Sequence, residues 1–176
     1  MRIAVCGSHG TGKSTLVAEL GHRLAGHVVF DEPYYLLEEE GHAFAHPPGA
    51  ADYELLLERS VTLLQQERSR DAIFDRGPVD YLAYSSALLR GASMPDLVRD
   101  TATAMQSLDL VVFVPIEEPD RMSPMDLPKL RRRVDRLLRE MVVEQTWGFE
   151  VPVLVVRGTI EQRADQVMGW VVGGAR

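Results

Sequence analysis

Gly7-Ser8-His9-Gly10-Thr11-Gly12-Lys13-Ser14, followed directly by Thr15, decides how the rest of this 176-residue chain is read. The stretch fits G-x-x-x-x-G-K-[ST] without a mismatch. Arg2-Ile3-Ala4-Val5-Cys6 before it is a short apolar run of the kind that forms a buried parallel strand. After it, Leu16, Val17, Leu20 and Leu24 recur at helical spacing. Strand, glycine loop and helix are the context in which this motif cradles phosphate. Its glycines let successive backbone N–H groups turn inward around phosphate oxygens, and the following helix points its positive dipole end at the same oxygens. Lys13 is expected at the β- and γ-phosphates and the Ser14 hydroxyl on Mg²⁺. A chance glycine-rich turn would lack the flanking strand and helix.

Composition agrees. Of the 19 Lys and Arg residues only Lys13 and Lys129 are lysines, so one of two ammonium groups sits where a compact cation must fold against a phosphate loop. The chain contains no asparagine, which removes the N-K-x-D motif that reads guanine and leaves ATP as the default nucleotide. The net charge is −7 and the isoelectric point about 5.2. That balance argues against a nucleic-acid-coating surface and against an anionic membrane as partner. The single cysteine, Cys6, excludes a disulfide framework within the chain and suits a reducing cytoplasm. No signal peptide is legible ahead of residue 7, and no apolar run approaches the ~20 residues that span a bilayer.

Apolar runs and helical stretches alternate along the chain, the pattern of a parallel sheet with crossover helices. The pattern predicts strands at about 2–6, 27–31, 72–75, 109–115 and 152–156, and helices at about 13–25, 52–70, 79–90, 95–107, 126–145 and 160–172. Gly41 to Ala51 and Pro115 to Pro124 read as loops. No linker or repeat divides the chain, so residues 1–176 form one expected domain.

Two strand ends carry carboxylates. Val28-Val29-Phe30-Asp31-Glu32-Pro33 closes the second strand, and in a parallel sheet such ends face the ligand crevice. Asp31 or Glu32 can act there as a general base or outer Mg²⁺ ligand. Pro33 would stop the strand and fix where the acid points. An acidic turn that merely ends a strand is the alternative. The two acids should face opposite sides of an extended backbone, and Glu32, held by the proline, is the expected base. Ala72-Ile73-Phe74-Asp75-Arg76-Gly77-Pro78-Val79-Asp80 ends the third strand. Asp75 can hold Mg²⁺ through water, and Arg76 can grip a substrate or phosphoryl oxygen. Asp80 serves equally well as an acid compensating a helix N-terminus.

The order phosphate loop, strand-E-P, strand-D-R-[GS]-x-x-D and arginine-rich helix resembles the small-molecule P-loop kinases. The nearest likenesses are the deoxynucleoside kinases and the AAA-like ATPase/kinase group that includes ribosylnicotinamide kinase. The resemblance implies a three-layer α/β P-loop NTPase fold of nucleoside monophosphate kinase type, with a five-stranded parallel sheet, helices on both faces and a lid at about 116–145. It makes Glu32 the base for an acceptor hydroxyl, and Asp75-Arg76 matches the family's E/D-R-S motif with Gly77 in place of serine. An R-x-R-x-x-E lid signature is absent.

In Lys129-Leu130-Arg131-Arg132-Arg133-Val134-Asp135-Arg136-Leu137-Leu138-Arg139, the residues Arg132, Arg136 and Arg139 repeat at i, i+4 and i+7 opposite an apolar face of Leu130, Val134, Leu137, Leu138 and Met141. A solvated basic face is one reading. The kinase resemblance makes it a lid whose arginines neutralise charge during transfer, with Arg121, Arg132 and Arg136 as candidates. Arg157-Gly158-Thr159 follows the last strand, where the same resemblance puts the adenine. Thr159 is also a good N-cap. Tyr34, Tyr35, His42, Phe44 and His46 are candidates to line an acceptor pocket.

The expected activity is ATP- and Mg²⁺-dependent transfer of the γ-phosphate to a hydroxyl of a small molecule, nucleoside-like or another metabolite. A P-loop ATPase or switch acting on a protein partner is the rival. A nucleoside monophosphate or polynucleotide 5′-hydroxyl kinase stands third. The sequence leaves oligomeric state open. A closed pocket between residues 33–60 and Arg76 would favour the first, and an open flat surface the second.

Overall fold

The computed structural model describes residues 1–66, 71–89, 95–117 and 127–173. Five strands, β1 (Arg2–Cys6), β2 (Val28–Phe30), β3 (Ala72–Asp75), β4 (Leu110–Phe113) and β5 (Val153–Val155), form one sheet in the order β2-β3-β1-β4-β5. Every pairing is parallel, with Val5 beside Asp75 and Cys6 beside Phe113. The phosphate-loop strand is therefore central, and Asp75, the acid that ends β3, lies next to it.

Helices α1 (Lys13–Arg23), α2 (Pro33–Glu39), α3 (Ala50–Gln66), α4 (Pro78–Leu88), α5 (Pro95–Met105), α6 (Pro128–Leu138) and α7 (Ile160–Gly173) cover both faces. The side-chain alternation of strands separates the two cores. Ile3, Val5, Ile73, Leu110 and Val112 point to α1 and α7. Ala4, Phe74, Val111 and Phe113 point to the larger core under α3, α4, α5 and α6. This is the expected three-layer arrangement.

Three departures from the sequence reading have local causes. Pro33 does end the strand, but it also opens helix α2 as an N-terminal proline, with Glu32 at the N-cap. Proline fits the first helical turn because its missing N–H is unneeded there. The single helix expected over 126–145 is α6 followed by a π-helical turn, Arg139–Val143, where Glu144 N–H reaches back to Arg139 O. Helix α4 is buried from Pro78 through Ala87, packed between the sheet and helices α3, α5 and α6. A helix apolar all round has no stripe by which sequence can orient it. The part of the expected lid at residues 118–126 lies outside the described residues.

Phe74 is 2% exposed, stacks on Phe30 at 5.1 Å and immediately precedes Asp75. Phe74→Ala is expected to cost about 3–5 kcal/mol, the range for truncating a buried phenylalanine. Urea denaturation checks this, with the midpoint falling and the slope unchanged.

Candidate active site

The loop between β1 and α1 is pinned from beneath by helix α4. Gly7 N–H donates to Asp80 Oδ1 at 2.8 Å, and Gly77 N–H donates to Asp80 Oδ2 at 3.0 Å. Asp80 thus caps its own helix and ties the phosphate loop to it. Gly7 lies at φ 156°, and a Cβ there would stand 2.4 Å from Val114 O, so no side chain fits. Within the loop, Lys13 Nζ donates to Ser8 O at 2.7 Å and Thr11 Oγ1 donates to the same oxygen at 3.1 Å. Lys13 is 4% exposed, and burial, with Arg76 nearby, lowers its pKa to about 8. An ammonium in so poor a solvent environment gains from a phosphate counter-charge. His9 lines one of the two cavities described below, and Gly10, Thr11 and Gly12 line the other. Ser14 and Thr15 are exposed at the start of α1.

Arg76 is the hub between the loop and the second strand. It is buried and takes a left-handed backbone, φ 73°, which is uncommon for a residue with a side chain. Its Nε donates to Glu32 Oε1 at 2.6 Å, and its terminal nitrogen donates to Gly7 O at 2.9 Å and lies 3.4 Å from Asp80 Oδ1. Tyr81 Oη stands 3.5 Å from the same Glu32 oxygen. Glu32 is therefore brought to the loop. Asp31 is not. It is exposed, because neighbours on an extended backbone face opposite ways. Asp75 lies beside Ser14, which hydrogen-bonds it, and burial raises its carboxyl above the ordinary aspartate range. Asp75 Oδ1 is buried without a hydrogen-bond partner among the described residues. An orphaned carboxylate oxygen beside a hydroxyl fits a hydrated divalent cation. Among the described residues no cluster of three or more His, Cys, Asp or Glu side chains forms a metal site by itself.

A cavity of about 240 Å³ opens beside this hub, with Glu32 and Arg76 at its base and Tyr34, Tyr53, Tyr84 and His9 among its walls. Tyr53 and Tyr84 stack at 4.6 Å, nearly parallel. Of the five loop aromatics expected here only Tyr34 lines the cavity. Phe44 stacks behind it at 4.3 Å and His42 meets the edge of Phe44, so these two support the wall. Tyr35 and His46 are exposed. The missed tyrosines, Tyr53, Tyr81 and Tyr84, come from α3 and α4. In the sequence they look like ordinary helix-core residues.

A second cavity, about 220 Å³, lies on the other side of the phosphate loop against Gly10, Thr11, Gly12, Glu117, Thr159 and Arg163. Arg163 donates to Thr11 O at 2.7 Å and to Glu117 Oε1 at 3.2 Å, and Gly158 N–H donates to the same Glu117 oxygen at 2.7 Å. Arg157, expected at the nucleotide, is exposed, and its backbone is held by Gln166. Gly158 and Thr159 border the cavity in its place. Thr159 also caps α7, accepting from Gln162 N–H at 3.3 Å.

The arginine helix turns a different face to the loop than the stripe predicted. Arg131 is buried, and its Nε donates to His9 O at 2.8 Å. It shares the i, i+3, i+7 face of Val134 and Leu138, both fully buried. Arg132 and Arg136 lie on another face and are exposed, and Arg139 lies over the Phe113 ring at 5.7 Å. Neither Arg132 nor Arg136 is among the described residues lining these two cavities. The apolar partners of Arg131 were the signal that would have singled it out. Arg163 carried a similar one, since it shares a buried face with Val167. Arg121 lies outside the described residues.

The profile of a family described as an AAA domain matches residues 2–163. No curated protein matches the sequence. Among solved structures the chain is similar to deoxyadenosine kinase from M. mycoides with the products dCMP and dCDP (TM-score 0.68, 17% identity, 98% of this chain and 100% of that one). It is similar to thymidylate kinase from Candida albicans (TM-score 0.66, 18% identity, 99% and 92%). It is also similar to shikimate kinase from Aquifex aeolicus (TM-score 0.62, 20% identity, 99% and 98%). At these identities the likeness is one of fold.

Asp80→Ala is expected to destabilise the protein by about 3–5 kcal/mol, because it orphans two buried N–H groups and removes a counter-charge from buried Arg76. Chemical denaturation checks the value, and a loss below about 1 kcal/mol would deny Asp80 this role.

Proposed function

The chain belongs to the AAA domain family, and on that footing we propose that it is an ATP-dependent kinase moving the γ-phosphate to a hydroxyl of a small molecule. The observation that carries this reading is the half-open, tyrosine-walled cavity with Glu32 at its base, directly beside the phosphate loop. A switch that answers to a protein partner needs no such chamber.

The triphosphate would lie along the loop, held by the backbone N–H groups and by Lys13, with the nucleoside in the Glu117–Arg163 cavity. Ser14 and Asp75 would hold Mg²⁺, which supplies charge neutralisation on the phosphates when bound. Arg76 and Tyr81 both address Glu32 Oε1, which leaves Oε2 for the acceptor. The acceptor hydroxyl gives its proton to that carboxylate as its oxygen bonds to the γ-phosphorus. The bond from the γ-phosphorus to the bridging oxygen breaks, and the electron pair leaves on ADP. Arg131, fixed on the loop, stands where a cation can meet charge spreading over the transferred group.

The electrostatics of the cavity favour an alcohol over a phosphorylated acceptor. Arg76 is the one cationic side chain among its described lining residues, and Glu32 and Asp80 already match it. An acceptor bearing its own phosphate would need arginines to spare. The reading also puts the enzyme in the cytoplasm, where ATP is abundant and the buried free thiol of Cys6 stays reduced. Among the described residues no helix is long and apolar enough to cross a membrane.

Glu32→Gln is expected to lower transfer to the acceptor by roughly 10²–10⁴-fold, the range for loss of a general base. Asp31→Asn should stay near wild type. Both are read by ATP consumption against a metabolite panel, and full activity in Glu32→Gln would defeat the assignment.

Arg131→Ala should lower kcat by roughly 10–100-fold, since hydrogen bonds to charged groups contribute about 1.5–3 kcal/mol. The double variant Arg132→Ala/Arg136→Ala should lower it only a few-fold. Steady-state kinetics of both variants side by side decide between the two faces of the helix.

A further inference from the structure

His9 is the one side chain of the phosphate loop that lines the tyrosine-walled cavity, and no role in nucleotide binding accounts for its direction. It is held there from three sides. Its N–H donates to Tyr84 Oη at 3.0 Å, its Nδ1 lies 2.9 Å from the same oxygen, and its carbonyl accepts from Arg131 Nε at 2.8 Å. The Tyr84 hydroxyl has one proton. One lone pair takes the His9 N–H, and in the tautomer that uses the hydroxyl as both acceptor and donor its proton points to Nδ1 and completes the pair of bonds. Nδ1 is then an acceptor, and a neutral ring carries its proton on Nε2. Burial, and the cations Arg76, Arg131 and Lys13, push the His9 pKa down to about 4, so the ring is neutral at physiological pH. Nε2 makes no hydrogen bond among the described residues and is not sealed from solvent.

We propose that His9 Nε2–H is the acceptor-positioning donor of this site: it hydrogen-bonds a second oxygen of the small molecule whose first hydroxyl faces Glu32. The proposal rests on the kinase reading and narrows its substrate class. A carboxylate that takes from one hydroxyl and an imidazole N–H that gives to another oxygen, across one cavity, select a polyhydroxylated acceptor over a simple alcohol. Tyr53, stacked on Tyr84, stiffens the same wall, so the donor is set before the acceptor arrives.

The test uses the full chain. In the ligand-free protein, ¹⁵N-detected imidazole NMR should show His9 protonated on Nε2, and Tyr84→Phe should disturb that preference. For kinetics the probe is the best acceptor from a panel of ribonucleosides, hexoses and amino sugars, with its single-deoxy analogues. His9→Ala should raise KM for that acceptor about tenfold, the loss of one hydrogen bond, with a much smaller change in kcat. His9→Gln carries an amide N–H near the Nε2 position and should recover most of the loss. His9→Asn reaches only the Nδ1 position and should behave like alanine. One deoxy analogue should show the raised KM in wild type and no further rise in His9→Ala. An Nδ1-protonated ring overturns the proposal, as does rescue by asparagine and not glutamine, which would mean that His9 acts only as an anchor for Tyr84. Wild-type transfer with an unchanged KM in His9→Ala overturns the proposal alone. A wild-type protein that phosphorylates nothing in the panel overturns the kinase reading and the proposal with it.

Discussion

The carboxylate of Asp80 is the constraint on which the rest of the site depends. It is fully buried and satisfies two backbone N–H groups, one at the mouth of the phosphate loop and one at the cap of its own helix. Burying an anion costs several kcal/mol unless it is paired and hydrogen-bonded. Here the pairing partner is Arg76, whose guanidinium is turned inward by a left-handed backbone and reaches Gly7 and Glu32 as well. One buried charge therefore fixes the loop, the arginine and, through the arginine, the carboxylate proposed as base. The contacts share partners, so removing one weakens the others.

The sheet and its order of layers were legible because they rest on periodicity. Ile3 and Val5 against Ala4, and Ile73 against Phe74, alternate as a strand between two cores must. The phosphate loop was legible because its glycines answer a backbone need, as Gly7 against Val114 shows. Glu32 and Arg76 could be picked out from their position at strand ends. Their salt bridge could not, since 44 residues separate them and nothing local records the pairing.

What escaped the sequence did so for physical reasons. The stripe of Arg132, Arg136 and Arg139 looked purposeful because amphipathic reasoning sorts charges to one face and apolar groups to the other. Arg131 breaks that sorting. It sits among Val134 and Leu138 because its head group finds a backbone carbonyl in the loop, a partner invisible at that range. Arg163 does the same from α7, and the cavity tyrosines Tyr53 and Tyr84 look like core residues until their hydroxyls and ring faces are placed. Helix α2 is hard to see in the sequence because the same proline that stops a strand can open a helix. Exposed Asp31 and Arg157 show the converse, that adjacency to a motif is not the same as facing it.

The total burial of α4 has an evolutionary consequence. A helix hemmed in on every side from Pro78 to Ala87 has no surface on which mutations can drift, and it supplies Asp80, Tyr81 and Tyr84 together. In the proposed kinase the opposite wall is freer to change, where α2, its following loop and the start of α3 present Tyr34, Pro47, Pro48 and Tyr53 from a partly exposed segment. The molecule thus sets a wall with no solvent-facing positions against one whose exposed positions between Pro33 and Tyr53 can drift, provided that Leu37 and Phe44 keep their places in the core.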